Sequence, residues 1–127
     1  MNKLEYIPGD LVTVETKLTK PRVVKVSNVD EDSVIYCEGW GEVCIYDEVK
    51  PIPITPEILE KNGWKKDGKW YCLSTKRAYL YIIQDTGQPD EFLICAGEDK
   101  HNLTSVSFVH QLQHFLFGLN LNSEMEV

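Results

Sequence analysis

Residues 103–120 read LTSVSFVHQLQHFLFGLN. At roughly 3.6 residues per turn, this stretch sets Phe108, Val109, Leu112, Phe115, Leu116 and Leu119 on one apolar stripe. Ser107, His110, Gln111 and His114 fall on the other, polar side. Thr104 stands where an N-cap is expected, Leu103 and Phe108 have the spacing of a hydrophobic staple, and Gly118 offers a left-handed stop. The pattern predicts one long C-terminal helix over residues 103–120, with an apolar face that needs a sheet to lie on.

Working back from this helix, residues 97–102 form a polar loop, and residues 70–73, 78–84 and 91–96 read as strands joined by short turns. Short connections make the neighbours antiparallel. Lys66-Asp67-Gly68-Lys69 is a two-residue hairpin signal. Ahead of it lies a short, well-punctuated helix. Thr55 caps it, Pro56 takes its first position, Glu57 complements its dipole, and Ile54 and Leu59 form a staple. Asn62-Gly63 stops it, with Trp64 placed to fold back on Leu59. The prolines of Pro51-Ile52-Pro53-Ile54-Thr55-Pro56 make the preceding connector extended. Residues 53–127 therefore read as an α-β-β-β-α unit with a mainly antiparallel sheet.

Residues 6–52 read as about five short strands broken by Pro, Gly, Asn and Asp, with strands over 11–15, 22–27, 33–37 and 42–46. So many short strands in so little chain suit a small closed barrel, because closure removes edges. Gly9-Asp10-Leu11-Val12, Val23-Val24-Lys25-Val26, Val34-Ile35-Tyr36 and Asp47-Glu48-Val49-Lys50-Pro51-Ile52 resemble the strand rhythm of an SH3-like barrel. The expected fold class is thus α+β. An SH3-like barrel over 1–52 precedes the α-β-β-β-α unit of 53–127, packed with it as one compact body.

The chain has 127 residues, is 43% hydrophobic and carries a formal net charge of -7. The acid excess repels phosphate backbones at long range and argues against a generic nucleic-acid binder. No apolar run approaches the roughly 20 residues of a bilayer span, and the first residues lack an apolar signal core, so a cytoplasmic setting is expected. Cys37, Cys44, Cys72 and Cys95 lie inside strand-like runs without a C-x-x-C pair, and read as small buried hydrophobes in a reducing compartment. Residues 51–64, together with Val109-His-Gln-Leu-Gln-His-Phe-Leu-Phe117, resemble small uncharacterised proteins of phages, prophages and mobile elements of Bacteroides-type bacteria. That resemblance implies a genomic setting and no activity.

The candidate site residues follow from alternation and spacing. Tyr79, Tyr81 and Ile83 share one strand face, extended by Trp70 and by Phe92 or Leu93, while Ala78, Leu80 and Ile82 share the other. The tyrosine face either packs on the barrel or stands open as an aromatic platform. Trp40, between two glycines, either projects from a barrel loop or plugs the core. Phe117 lies off the main helical stripe and is either a contact with another protein surface or a second copy, or an ordinary exposed residue at the edge of the helix. Lys65, Lys66, Lys69, Lys76 and Arg77, beside the tyrosines, read either as a solvated positive rim on an acidic protein or as the feature that favours nucleic acid. His110 and His114, four residues apart, read either as solvated or hydrogen-bonded residues of a polar face or as two metal ligands, with a third from His101, Asp99 or Glu98. Gln111 occupies the place of the glutamate that a zinc protease needs. No phosphate loop, nucleophile elbow or paired carboxylates are found, so no catalytic residue and no cofactor is expected. The leading expectation is a non-catalytic protein-binding or assembly module. A nucleic-acid accessory protein and a metal-binding protein are the alternatives.

Overall fold

The computed structural model describes residues 6–16, 19–29, 33–36, 42–45, 49–75, 79–84, 87, 91–97 and 99–127. The elements run β1 (Leu11–Thr16), β2 (Thr19–Val29), β3 (Ser33–Tyr36), β4 (Glu42–Ile45), β5 (Val49–Pro51), α1 (Pro56–Lys61), β6 (Lys65–Asp67), β7 (Trp70–Ser74), β8 (Tyr79–Gln84), β9 (Phe92–Ala96), β10 (His101–Val106) and α2 (Val109–Gly118). The chain is α+β and dominated by strands. Two five-stranded sheets, in the orders β4-β3-β2-β1-β5 and β10-β9-β8-β7-β6, are antiparallel throughout. Contacts divide the chain into two units. The first is Met1–Ile52 with Val109–Met125, and the second is Pro53–Phe108 with Glu126–Val127.

In the first unit, Gly9 at φ 98 makes the turn that starts β1. Its N–H donates to the Val26 carbonyl at 2.8 Å, and the Val26 N–H donates to the Asp10 carbonyl at 2.8 Å. Alternation then buries Val12 and Val14 of β1, Val24 and Val26 of β2 and Val49 of β5, with Tyr6 joining the same core. β2 carries an extra residue at two points. Lys20 and Pro21 together oppose Glu15, so the proline, which has no N–H to give, falls where the ladder is already interrupted. Ser27 is the second extra residue, at the change of partner from β1 to β3. β1 pairs with both β2 and β5. Among the described residues no ladder joins β4 to β5, so the expected closed barrel is seen as a five-stranded sheet.

The long helix expected over 103–120 is shorter: α2 spans Val109–Gly118, and the residues before it form β10. Thr104, expected as a cap, pairs with Ile94 of β9, and Leu103 is the extra residue of a bulge. The physical reason lies in β9, whose ladder satisfies backbone groups that a first helical turn would leave orphaned. Phe108 bridges Pro53, and the Val109 N–H that opens α2 donates to the Ile52 carbonyl at 2.8 Å. The stop is also displaced. Asn120 (φ 59), not Gly118, takes the left-handed position. Its N–H donates to the Phe117 carbonyl and the Leu121 N–H to the Leu116 carbonyl, both at 2.9 Å, completing a Schellman ending.

The second unit matches expectation more closely at α1. Thr55 Oγ1 accepts the Ile58 N–H at 3.2 Å, Gly63 adopts φ 90, and the Trp64 N–H donates to the Leu59 carbonyl at 3.0 Å. Trp64 and Leu59 are both buried. The sheet has five strands rather than three, because the Asp67-Gly68-Lys69 turn adds β6 at one edge and the predicted polar loop supplies β10 at the other. Leu80, Ile82, Phe92 and Ile94 bury one face. Register places Trp70, Cys72, Tyr79, Tyr81, Ile83, Leu93 and Cys95 on the other, so Leu93 and not Phe92 extends the tyrosine face.

Candidate functional site

α2 is seated on the turn before β1 by polar side chains. Gln113, 4% exposed, accepts the Leu11 N–H on Oε1 at 2.9 Å and donates from Nε2 to the carbonyls of Gly9 and Ser123, each at 3.1 Å. Asp10, 1% exposed, accepts the Ile7 N–H at 2.9 Å, and His114 Nε2 lies 2.8 and 3.0 Å from its two carboxylate oxygens. With the carboxylate ionised, Nε2–H donates to both oxygens. Burial pushes the Asp10 carboxyl above the usual carboxylate range, opposed by the Ile7 N–H and by His114.

The expected stripe is kept at Val109, Leu112 and Leu116, which are buried, but the seat buries His110 and Gln113 as well and leaves Leu119 exposed. Phe117, expected off the stripe, is 68% exposed. His110, expected on a solvated face, is buried beside the Tyr6 ring at 4.9 Å and edge-to-face with His114 at 5.5 Å. Desolvation, then the neighbouring His114 charge, lowers its pKa to about 4, so it is neutral at ordinary pH. The two histidines are brought together, as their spacing predicts. Among the described residues no group of three or more His, Cys, Asp or Glu is placed to hold a metal ion, and His101 pairs instead with Asp99 at 3.6 Å.

Over the seat lies a groove of about 380 Å³, lined by Ile7, Pro8, Lys25, His114, Phe117 and Glu124 among others. Ile7 is 40% exposed. Phe117 thus stands in a patch with a second exposed hydrophobe, a cation and an anion. Sequence periodicity picked out Phe117 but not the groove, because His114 meets Asp10, and Gln113 meets Gly9 and Leu11, across a separation of about a hundred residues. The local hint is the Pro8-Gly9-Asp10 turn, where an Asp three residues past Ile7 folds back on its N–H.

On the second unit, the Trp70 and Tyr81 rings meet edge-to-face at 6.2 Å, and the Lys100 ammonium lies 5.7 Å from the Trp70 ring centre and 4.8 Å from that of Tyr81. Tyr79, on the same face, is 56% exposed. Burial raises the pKa of the Cys95 thiol beneath this face, and the Lys100 charge opposes the rise. The expected basic cluster is divided by register. Lys65 pairs with Cys72 and shares the tyrosine face, whereas Lys66 pairs with Tyr71 and, with Lys69, lines a groove beside Pro56 and Phe92. Trp40, Lys76, Arg77 and Glu98 lie outside the described residues.

No protein-family model, curated protein or solved structure matches the chain. Among the described residues no helix is long and apolar enough to cross a membrane.

Proposed function

We propose that this chain is a non-catalytic protein-binding module that docks a second copy of itself through the groove over the Asp10–His114 seat. The carrying observation is the exposure of Phe117 (68%) on the lip of a groove that also exposes Ile7 (40%). An apolar side chain held out by a helix on a fixed seat loses little freedom on binding, which favours its use as an anchor. The occupant is argued from self-complementarity. A two-fold contact sets the same patch against itself, and this patch carries one projecting ring, one groove to receive it, one cation in Lys25 and one anion in Glu124. The scaffold of this reading is an SH3-like barrel, supported by the order β4-β3-β2-β1-β5, the β1–β5 pairing and the bulged, shared strand β2. Its setting is the cytoplasm of a bacterium carrying a phage or mobile element, in line with the resemblance of residues 51–64 and 109–117.

The test is the mass in solution across a concentration series. The wild type dimerises, Phe117→Asp is monomeric with an unchanged unfolding transition, and Lys25→Glu weakens the dimer while Lys25→Glu with Glu124→Lys restores it. A wild-type chain that stays monomeric at the highest concentrations, or a Phe117→Asp variant of unchanged mass, refutes the reading.

A further inference from the structure

The tyrosine face belongs to the second unit, and its chemistry differs from that of the groove. Register puts Trp70, Tyr79 and Tyr81 on one surface of β7 and β8. Tyr79 and Tyr81, two residues apart on one strand, are roughly 7 Å apart along it. Tyr79 is more than half exposed, and Trp70 and Tyr81 are partly so. Such rings offer π-faces to any flat partner.

The turn after β9 delivers a cation to the same place. Gly97 (φ 79) donates its N–H to the Tyr79 carbonyl at 3.2 Å, and the Lys100 N–H closes the turn on the Gly97 carbonyl at 3.0 Å. Lys100, itself in the left-handed conformation (φ 51), thereby holds its ammonium over Tyr81 and Trp70. Lys65 adds a second exposed cation on this face, and Asp67, opposite Trp70, is its acidic neighbour. The acid excess of the chain falls mostly in the first unit.

From this juxtaposition of exposed rings and ammonium groups we propose that the Trp70–Tyr79–Tyr81 face binds single-stranded nucleic acid, with bases stacked on the rings and backbone phosphates on Lys100 and Lys65. Sheet-borne aromatic residues flanked by cations suit single strands because every base has a π-face, whereas a duplex hides it. Lys100 releases the Tyr81 ring and pairs with a phosphate when a base arrives. The acidic remainder of the surface keeps the affinity modest and the contact local.

Anisotropy of a labelled oligothymidylate of about a dozen nucleotides reads the binding directly. With two phosphates neutralised, the logarithm of affinity falls with that of salt at a slope of about -1.4, roughly sevenfold between about 50 and 200 mM. Tyr79→Ala and Tyr81→Ala each weaken binding roughly 5- to 150-fold. Lys100→Gln flattens the slope by about 0.7. Lys66→Gln with Lys69→Gln, on the opposite face, leaves binding unchanged. Tyr79 is exposed enough that its alanine variant keeps the core, which circular dichroism confirms. No anisotropy change at the low-salt end, equal affinity for a duplex, or equal losses from the Lys66/Lys69 and Lys100 variants each overturn the proposal. The Phe117→Asp variant keeps this binding, so failure of the self-association reading is seen separately.

Discussion

Acid should loosen this protein through His110, and the size of the effect follows from its burial. In the unfolded chain the imidazole titrates near 6.5, and in the native state near 4. Between those values the unfolded state binds a proton that the native state refuses, so stability falls as pH falls. At about 1.36 kcal/mol per pKa unit, the complete effect is about 3 kcal/mol below pH 4, and about 2 kcal/mol is already lost at pH 5 relative to pH 8. Against a native stability of about 5–15 kcal/mol this is a large loss. Asp10 acts in the opposite sense, since a carboxyl raised by burial favours the native state as pH falls. The measurement is therefore a difference of differences: urea unfolding of wild type and His110→Phe at both pH values. Phenylalanine keeps a ring against Tyr6 and removes the proton site. With a urea slope of about 1–3 kcal/mol/M, the wild-type midpoint should fall by about 1 M more than that of the variant. Equal pH dependence in the two proteins would show that His110 is not held neutral by burial, and the account of the α2 seat would fail with it.

Gln113→Leu should cost about 1–3 kcal/mol in denaturant midpoints, because the buried Leu11 N–H is left without its acceptor. If stability is unchanged, the glutamine is not the clasp described. Thr55→Ala should cost about 1 kcal/mol through loss of the α1 cap, read by thermal melting. At Asn120, where φ is 59, substitution by Gly should be tolerated and substitution by Val should cost about 1–2 kcal/mol. Equal melting temperatures for those two variants would contradict the left-handed ending of α2.

Much of the local structure could be read from residue order alone. Thr55-Pro56 and Asn62-Gly63-Trp64 punctuate α1 with side chains that act within a turn of where they stand, so no distant information is needed. The alternation of Tyr79 to Ile83 likewise decides which face is buried. Residues 101–106 show where this ends. Thr104 reads as a cap when only its near neighbours are considered, and β9, which offers a ladder, makes it a strand residue. The burial of Gln113 on α2 has the same cause. Apolar periodicity favours Phe115 and Leu119, but the N–H of Leu11 and the carbonyl of Gly9 need partners, and Gln113 supplies both. The lysines fail for a simpler reason. Lys65 and Lys66 are adjacent in sequence, and on a strand adjacency means opposite faces.

The division of the chain has a consequence for synthesis. The first unit draws on residues at both ends, whereas the second lies between them apart from its last two residues. On a ribosome adding about 5–20 residues per second, the strands of the first unit wait roughly ten seconds after β2 before α2 emerges. During that interval the Asp10 carboxylate lacks His114 and the Leu11 N–H lacks Gln113. The middle of the chain, with its local meander, can close first and carry the two ends of the first unit towards each other. A nascent chain stalled before residue 109 would then show a protected second sheet and a first sheet still open to protease.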